Sequence, residues 1–241
     1  MKKGVILLFI SFLAISIVLA TTWFDAKVKC PVCDKTNDFQ EIGSYGSYIY
    51  HWPEKLEYIF WPVTETYSLY SCKKCKYSAF MWDFNDIGKD TLELIKKELP
   101  LLNLSVSGYD DKMTIKLEAA EQIYKLYNKD ADFWCWFYRI KGYHYEQEAN
   151  IEKAKESRLT ALNIADSLLV LPENANRYKE LLLIISSMEY FTGQDSLALN
   201  NINKGLSCVY FNANIDSTEN SNYNEYFDEI LNELKMKIAE N

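Results

Sequence analysis

Two CxxC pairs carry the clearest chemistry in this sequence. The first stands in CPVC and the second in CKKC, each directly after a short run suited to an extended strand, residues 27–29 and 67–71. A CxxC turn places two thiolates around one metal ion, and two such turns complete the tetrahedral four-sulfur shell of a structural zinc site. The sequence therefore predicts a zinc ribbon, with Zn²⁺ as a structural cofactor. Its expected ligands are Cys30, Cys33, Cys72 and Cys75.

Disulfides and redox chemistry are the alternatives for these four cysteines. Exported proteins meet an oxidising environment, in which each CxxC pair could close as a disulfide. One pair could instead cycle as a redox site, but a thioredoxin-like pair begins a helix within a βαβ unit, and neither pair does so here. The other cysteines, Cys135 and Cys208, stand within apolar helical segments, where we expect small buried side chains.

The composition excludes several classes of function. The chain has 241 residues and a formal net charge of −8, so the phosphate backbone of a nucleic acid would repel it. Its histidines are His51 and His144, too few for most histidine-dependent metal sites and for Ser/His or Cys/His catalytic sets. The sequence also lacks GxSxG, Walker-type, GxGxxG and HExxH motifs. These absences favour a protein that is not an enzyme.

Residues 1–20 have the composition of a secretory signal peptide. Two lysines precede an uncharged apolar run, and Val18 and Ala20 occupy the positions that signal peptidase inspects. Cleavage would leave a periplasmic protein. The run also approaches the roughly 20 residues of a membrane-spanning helix, so an inner-membrane anchor with Trp23 and Phe24 at the interface is the alternative. Either outcome places the body of the protein outside the cytoplasm.

The remainder of the chain divides into three parts. Residues 26–88 are rich in Tyr, Trp and β-branched residues and are expected to form the ribbon. Residues 89–111 contain a helix, for which Asp90 is the expected cap, and a connecting loop. Residues 112–241 have apolar residues at three- and four-residue steps and predict about six helices. The expected fold class is α+β, a small β-rich ribbon followed by an α-helical domain.

The helical part shows signs of internal repeats. Asp130 or Asp132 and Asn150 are the expected helix starts. Small and large residues recur at the offsets of the tetratricopeptide (TPR) repeat, in which small side chains let paired helices approach closely. The first unit is marked by Gly142, Tyr145, Ala154 and Ala161, and the second by Gly193, Ala198, Ile202 and Gly205. The helical domain is accordingly predicted to be TPR-like, with an irregular bundle as the alternative.

Other residues have both a functional and a structural interpretation. The aromatic insert over residues 48–61 could be a binding surface, but a small ribbon needs such residues as its core and its contact with the helices. His51, or His144 together with Glu148 one helical turn away, could bind a metal, although no third ligand is near in the sequence. A local basic patch, expected to be a solvated surface, consists of Lys73, Lys74 and Lys76.

Aromatic motifs accompany the cysteines. CPVC is followed by Phe39, CKKCKYSAF is followed by Asp83 and Phe84, and the helical segment at residues 136–139 reads WFYR. Together they resemble an uncharacterised bacterial family, a domain of unknown function in which a zinc ribbon leads into TPR-like helices. The residues that carry the resemblance are Cys30, Pro31, Cys33, Phe39, Cys72, Cys75, Tyr77, Phe80, Asp83, Phe84, Trp136, Phe137, Tyr138 and Arg139.

The resemblance implies a metal-bound ribbon and no established activity. The family usually has glycine directly after the second cysteine of each pair, where the backbone tends toward positive φ. This chain has Asp34 and Lys76 at those positions. Asp tolerates that conformation moderately well and Lys poorly. The cost, on the order of 1 kcal/mol, is small beside the roughly 10–16 kcal/mol apparent binding free energy of structural zinc in finger peptides.

The sequence as a whole predicts a non-enzymatic binding or scaffold protein of the cell envelope. The zinc ribbon would be structural, and the helical repeats would present a surface to a partner protein. The alternative is a thiol- or metal-dependent enzyme that uses the paired CxxC motifs for redox chemistry. No nucleic-acid partner is expected, and any association with the inner membrane would come through the N-terminal segment.

Overall fold

The computed structural model describes residues 22–44 and 53–240. Within those ranges the chain forms two antiparallel β-hairpins followed by seven helices, which confirms the α+β class. The segment expected to be a signal peptide or anchor lies outside the described residues, as does His51. None of the helices in the described ranges is both long and apolar enough to cross a bilayer.

Each CxxC pair lies in the turn of one hairpin. Strand β1, Thr22–Lys29, pairs with β2, Thr36–Ser44, and β3, Leu69–Ser71, pairs with β4, Ser78–Phe80. The extended runs expected before each pair are therefore present. The second run is shorter than expected, because Thr66–Ser68 form a 3₁₀ turn before β3 begins.

The chain after the ribbon is mainly helical. In its described part, six helices lie beyond residue 112, as expected. They are α1 Lys89–Glu98, α2 Met113–Tyr124, α3 Ala131–Gln147, α4 Ile151–Leu169, α5 Tyr178–Phe191, α6 Asp195–Ser207 and α7 Ser217–Glu240. Asp130 caps α3 by accepting from the Phe133 amide at 2.8 Å. Asn150 caps α4 by accepting from the Lys153 amide at 3.3 Å. Gly193, at φ +79°, follows the end of α5.

The expected cap of α1 is wrong. The helix begins at Lys89, and Gly88 occupies the N-cap position without a side-chain hydrogen bond. Asp90 lies instead in the first turn, where the positive end of the helix dipole favours a carboxylate. An acidic residue is common both at the N-cap and in the first turn of a helix, so the sequence pattern does not separate the two positions.

Two hydrophobic clusters form the interior of the described chain. The first joins the ribbon to α1, α2 and α3 and includes Phe39, Tyr77, Ile95, Leu117 and Ile140. The second contains residues of every helix from α3 through α7 and of the aromatic insert. Most of its members are aliphatic. Because the hairpins and three helices share one cluster, they are packed together as a unit. The boundaries of the three parts, at residues 26–88, 89–111 and 112–241, stay a prediction.

Small residues lie where neighbouring helices touch. Helix α3 packs on α4, and α5 packs on α6. A Cβ added to Gly142 of α3 would lie 2.8 Å from Cγ of Arg158 and 3.3 Å from the carbonyl oxygen of Ala154, both on α4. A Cβ added to Gly205 of α6 would lie 2.9 Å from Cδ1 of Leu231 on α7. The TPR offsets therefore identified real close contacts, which a larger side chain would disturb.

The described part of the aromatic insert lies in the interior. Ile59 is buried, and the Glu57 carboxylate pairs with Arg158 of α4 at 2.6 Å, with both side chains buried. Arg139 of α3 donates to the carbonyl oxygens of Glu57 and Tyr58 at 3.0 and 2.6 Å. These contacts fasten the insert to the helices, as the packing interpretation predicts. The first residues of the insert lie outside the described ranges.

Candidate metal centre

Four sulfur atoms meet between the two hairpin turns. The Sγ atoms of Cys30, Cys33, Cys72 and Cys75 all lie within 4.8 Å of one another. The distance from Sγ of Cys30 to Sγ of Cys75 is 3.6 Å, and the distance between those of Cys33 and Cys72 is also 3.6 Å. Cys30 and Cys72 are buried, whereas Cys33 and Cys75 are half-buried. The structure thus brings together the four cysteines singled out in the sequence.

Backbone hydrogen bonds close the first turn, called here the first knuckle (residues 30–35). The amide of Cys30 donates to the carbonyl of Lys35 at 2.9 Å, and the amide of Asp34 donates to the carbonyl of Cys30 at 3.0 Å. Asp34 adopts φ +59°, in the left-handed region. Its carboxylate pairs with Lys29 at 2.8 Å, and the hydrogen bond from this lysine lowers the pKa of Asp34.

The second knuckle (residues 72–77) repeats this pattern. The amide of Cys72 donates to the carbonyl of Tyr77 at 2.9 Å, and the amide of Lys76 donates to the carbonyl of Cys72 at 2.8 Å. Lys76 adopts φ +66°. Its Nζ donates to the carbonyl of Leu104 at 2.9 Å. The positive φ implied by the family's glycines is therefore confirmed in both knuckles, although neither position holds glycine.

Asn37 connects the two knuckles and was not anticipated from the sequence. Its buried side chain donates from Nδ2 to the carbonyl of Lys35 at 3.0 Å and to Sγ of Cys72 at 3.6 Å. Its Oδ1 accepts from the amide of Lys73 at 3.2 Å. One side chain thus bonds to both knuckles and to a cysteine sulfur, as outer-shell residues of metal sites do. No sequence signal marked it, because Asn is common in turns for other reasons.

The donor set fits a tetrahedral metal site. Zinc–sulfur bonds of about 2.3 Å at tetrahedral angles place sulfurs about 3.8 Å apart, close to the 3.6 Å separations between the knuckles. A disulfide needs sulfurs about 2.05 Å apart, and all six cysteines are free thiols in this structure. The four cysteines could therefore hold a metal ion. Four sulfurs also complete the shell, so no coordination position is left open for a substrate.

Hydrogen bonds among Cys30, Cys72 and Cys75 shift the pKa values of these three thiols in opposite directions. Hydrogen bonds from the thiols of Cys30 and Cys75 lower the pKa of Cys72. The hydrogen bonds of Cys75 with Cys30 and Cys72 raise the pKa of Cys75, and the hydrogen bond with Cys72 raises the pKa of Cys30. Thiol protons link the facing sulfurs, Cys30 with Cys75 and Cys33 with Cys72. A cation among the sulfurs would replace those protons and favour the ionised form of each cysteine.

The aromatic residues after the second knuckle attach the cluster to the helices. Tyr77, Phe80 and Phe84 are fully buried. The Tyr124 hydroxyl of α2 accepts from the amide of Phe80 at 2.9 Å and donates to the carboxylate of Asp83 at 2.7 Å. The DF pair and the preceding aromatics, which the resemblance associates with the family, therefore have a packing function here.

The WFYR segment of α3 packs on the same surface. The ring of Trp136 lies 4.9 Å from that of Phe80, and the ring of Phe137 lies 6.1 Å from it. The hydroxyl of Tyr138 donates to Glu121 of α2 at 2.9 Å. The second knuckle is thereby supported by both α2 and α3.

Among the described residues, the other candidate ligands, His144 and Glu148, do not join the cluster. His144 has its Nε2 2.8 Å from the carbonyl oxygen of Val63, and burial lowers the pKa of His144 to about 4. Glu148 accepts from the hydroxyl of Thr114 at 2.9 Å. Both side chains are engaged in hydrogen bonds within the fold. Among the described residues, the four cysteines are the one group of possible ligands close enough to share an ion.

The two remaining cysteines differ from each other. Cys135 is buried in α3 and donates to the carbonyl of Ala161 at 3.6 Å, as expected for a small core residue. Cys208 does not lie inside a helix, contrary to the expectation. It directly follows α6 in extended conformation and is half-buried. In the basic patch, Lys73, Lys74 and Lys76 are all exposed, as a solvated surface requires.

The DUF2225 family model, described as an uncharacterized protein conserved in bacteria, matches residues 23–233. The chain belongs to this family. The match covers nearly all of both hairpins, the whole cysteine cluster and six complete helices, and it reaches into α7. The resemblance carried by the cysteine and aromatic motifs is thereby confirmed, and this family is itself uncharacterised. No curated protein and no solved structure matches the chain.

Proposed function

We propose that this protein is a non-enzymatic binding or scaffold protein of the cell envelope. A structural zinc ion would hold its ribbon, and its paired helices would bind a partner protein. The single observation that carries the proposal is the cluster of four sulfurs within 4.8 Å of one another. A closed sulfur shell stabilises a fold and leaves no position for a substrate, which favours this role over a thiol- or metal-dependent enzyme.

Metal analysis of the purified protein tests the zinc site. We expect one zinc ion per chain, and its loss in the Cys72→Ser variant. Thiol titration of the wild type in denaturant with a chelator should then count six thiols, the number of free cysteines in the structure. Metal-free protein with its CxxC cysteines joined as disulfides would overturn the assignment of zinc.

A pocket beside α3 supports the binding role of the helices. It has a volume of about 430 Å³ and is lined by Lys125, Tyr127, Trp134, Tyr138 and Ile164. Aromatic side chains are enriched in the centres of protein interfaces, where they supply large apolar contact areas. The occupant we assign to the pocket is therefore a segment of a partner protein that inserts an apolar side chain between these rings.

Two glutamate substitutions on α4 and its C-terminal end test this assignment. Ile164 is half-buried and lines the pocket, whereas Val170 is 76% exposed directly after the same helix. Affinity capture from envelope extracts should recover the same partner with the wild type and with Val170→Glu, and lose it with Ile164→Glu. Thermal unfolding checks that both variants are folded. Equal recovery by both variants would remove the pocket from the proposal.

Export is the remaining part of the proposal, supported by the lysines, the apolar run and the small residues of the N-terminal segment. N-terminal sequencing of the protein from envelope fractions should begin at Thr21 if the segment is cleaved. A start at Met1 in the membrane fraction would indicate an anchor. Recovery of the protein in the cytosolic fraction would contradict both forms of export.

A further inference from the structure

The cysteines that face each other across the knuckles differ in exposure. Half-buried Cys33 has its Sγ 3.6 Å from that of buried Cys72, and half-buried Cys75 has its Sγ 3.6 Å from that of buried Cys30. Each facing pair therefore combines one thiol that a small oxidant can reach with one that is sheltered. A disulfide in either pair requires the two sulfurs to close from 3.6 Å to about 2.05 Å.

We propose that the cluster is a peroxide-sensitive zinc site, in which oxidation joins Cys30 to Cys75 and Cys33 to Cys72 and releases the ion. The inference rests on the proposed function, because it takes zinc as the occupant. It assigns Cys33 and Cys75 as the first sites of oxidation. The resulting disulfides link the two hairpins to each other, so the knuckles stay together after the ion has left.

The chemistry balances with one hydroperoxide for each disulfide. The Cys33 thiolate attacks a peroxide oxygen, the O–O bond breaks, the leaving oxygen takes up a proton, and the sulfur becomes a sulfenic acid. The Cys72 thiolate then attacks that sulfur, the S–S bond forms and hydroxide leaves. Two electrons pass from the two sulfurs to the peroxide. The same sequence at Cys75 and Cys30 removes the remaining two ligands from the zinc ion.

The surroundings of the sulfurs favour this pairing. Asn37 donates from Nδ2 to Sγ of Cys72, and a donor on sulfur stabilises the thiolate that must attack oxidised Cys33. The backbone bonds from Asp34 to Cys30 and from Lys76 to Cys72 fix the two CxxC turns. Pairing across the knuckles leaves those turns unchanged.

Disulfide mapping of oxidised protein tests the proposal. Zinc-loaded protein is treated with two equivalents of hydrogen peroxide, released zinc is measured with a chromogenic chelator, and the non-reduced tryptic digest is analysed by mass spectrometry. Trypsin separates Cys72 from Cys75 at Lys73 and Lys74. We expect complete loss of zinc and the first-knuckle peptide linked to both second-knuckle peptides. Disulfides within each CxxC pair, or sulfinic and sulfonic acids without disulfides, would overturn the inference.

A three-cysteine variant separates the two pairings within one molecule. In Cys33→Ser, pairing across the knuckles gives a disulfide between Cys30 and Cys75 and leaves Cys72 as a free thiol. Pairing within the CxxC motif gives Cys72 joined to Cys75 and leaves Cys30 free. The matched Cys75→Ser variant should join Cys33 to Cys72. A Cys208→Ser background removes the half-buried thiol outside the cluster, and circular dichroism before oxidation establishes that each variant is folded.

The failure of this inference can be told from the failure of the proposed function. If the purified protein holds no zinc, the proposed function fails, while the disulfide map of the reduced, metal-free protein still decides the pairing. If zinc is bound and peroxide leaves both the ion and the thiols unchanged, the site is structural only and the redox inference is wrong.

Discussion

The two knuckles share a backbone and differ in what surrounds them. In each, an amide four positions after the first cysteine donates to that cysteine's carbonyl, at 3.0 Å in the first knuckle and 2.8 Å in the second. The donating residues, Asp34 and Lys76, have φ of +59° and +66°. The residues between the cysteines differ, so the shared geometry follows from presenting two sulfurs to one centre rather than from similar side chains.

The positive-φ residue of the first knuckle, Asp34, bonds to a lysine at the surface. Asp34 and its partner Lys29 have side chains 79% and 67% exposed. The second knuckle instead contacts the chain on both sides of α2. Lys76 donates to the carbonyl of Leu104, and the hydroxyl of buried Tyr77 lies 2.6 Å from the hydroxyl of Tyr127, beyond α2. Both hairpins contribute to the shared core, the first through Phe39, and the second knuckle has the additional bonds of Lys76 and Tyr77.

Removing the ion should produce the largest difference between the knuckles. Structural zinc supplies an apparent 10–16 kcal/mol, roughly, in small domains, and the second knuckle also has bonds from Lys76 and Tyr77 to the chain on both sides of α2. After chelation, hydrogen exchange should lose more protection across residues 22–36 than across residues 69–84. Mass spectrometry of the exchanged protein measures both regions at once. Equal loss of protection would show that the helices do not support the second knuckle.

The core beneath the knuckles should give the next largest effect. Phe84 is fully buried, with its ring 5.0 Å from that of Tyr77 and 5.4 Å from that of Phe39, so it contacts the last residue of the second knuckle and a residue that follows the first. Phe84→Ala should cost about 3–5 kcal/mol of unfolding free energy with zinc present. Phe24→Ala is a matched control on β1, where the side chain is 47% exposed. Denaturant titration measures both variants, and similar losses would contradict this account of the core.

Substitution of Asn37 should have a smaller effect, which is on the affinity of the cluster for the metal. Asn37→Ala removes the donor to Cys72 and the bond to Lys73, and loss of an outer-shell partner typically lowers metal affinity about 10–100-fold. Competition with a chelator of known affinity measures the change. Asn163→Ala, at an exposed position on α4, is the control and should leave the affinity unchanged. An unaltered affinity in Asn37→Ala would mean that this residue only packs.

The features predicted correctly from the sequence are those fixed by local chemistry. Tetrahedral coordination requires four donors, so two CxxC pairs identified the cluster before any packing was known. The caps at Asp130 and Asn150 and the helix end at Gly193 follow from backbone groups within a few residues. The close helix contacts at Gly142 and Gly205 were also predictable, because a glycine within a helical segment often indicates that another helix approaches closely there.

The features that were missed depend on distant partners or on exact helix ends. Asn37 meets Lys73, 36 positions away, only after both hairpins have formed. Cys208 lies outside α6 because the helix ends at Ser207 and the backbone is extended at the next residue, although the apolar pattern of the sequence predicts that the helix continues. The Asp90 cap failed for the same reason at the start of α1. Periodicity gives the face of a helix more reliably than it gives the last residue.

The smallest expected effect tests whether the two backbones are in fact equivalent. An L-residue in the left-handed region costs about 1 kcal/mol relative to glycine. Asp34→Gly should therefore be more stable than Asp34→Ala by about this amount. Lys76→Gly should be more stable than Lys76→Ala by the same amount. Comparing glycine with alanine removes the wild-type side chain from both sides of the difference. Chemical denaturation with zinc bound provides the four free energies of unfolding.

Equal Gly–Ala differences at positions 34 and 76 would support one shared knuckle geometry, whereas a difference at only one position would show that the other adopts a different backbone in solution. The wild-type side chains then separate the surroundings. Lys76→Ala loses the bond to the Leu104 carbonyl, a part-buried contact of the kind that contributes about 0.5–1.5 kcal/mol. Asp34→Ala loses a surface ion pair whose contribution salt should screen. Salt-sensitive loss at Asp34 and salt-insensitive loss at Lys76 is therefore the pattern expected if Asp34 bonds to a surface lysine and Lys76 bonds to the loop before α2.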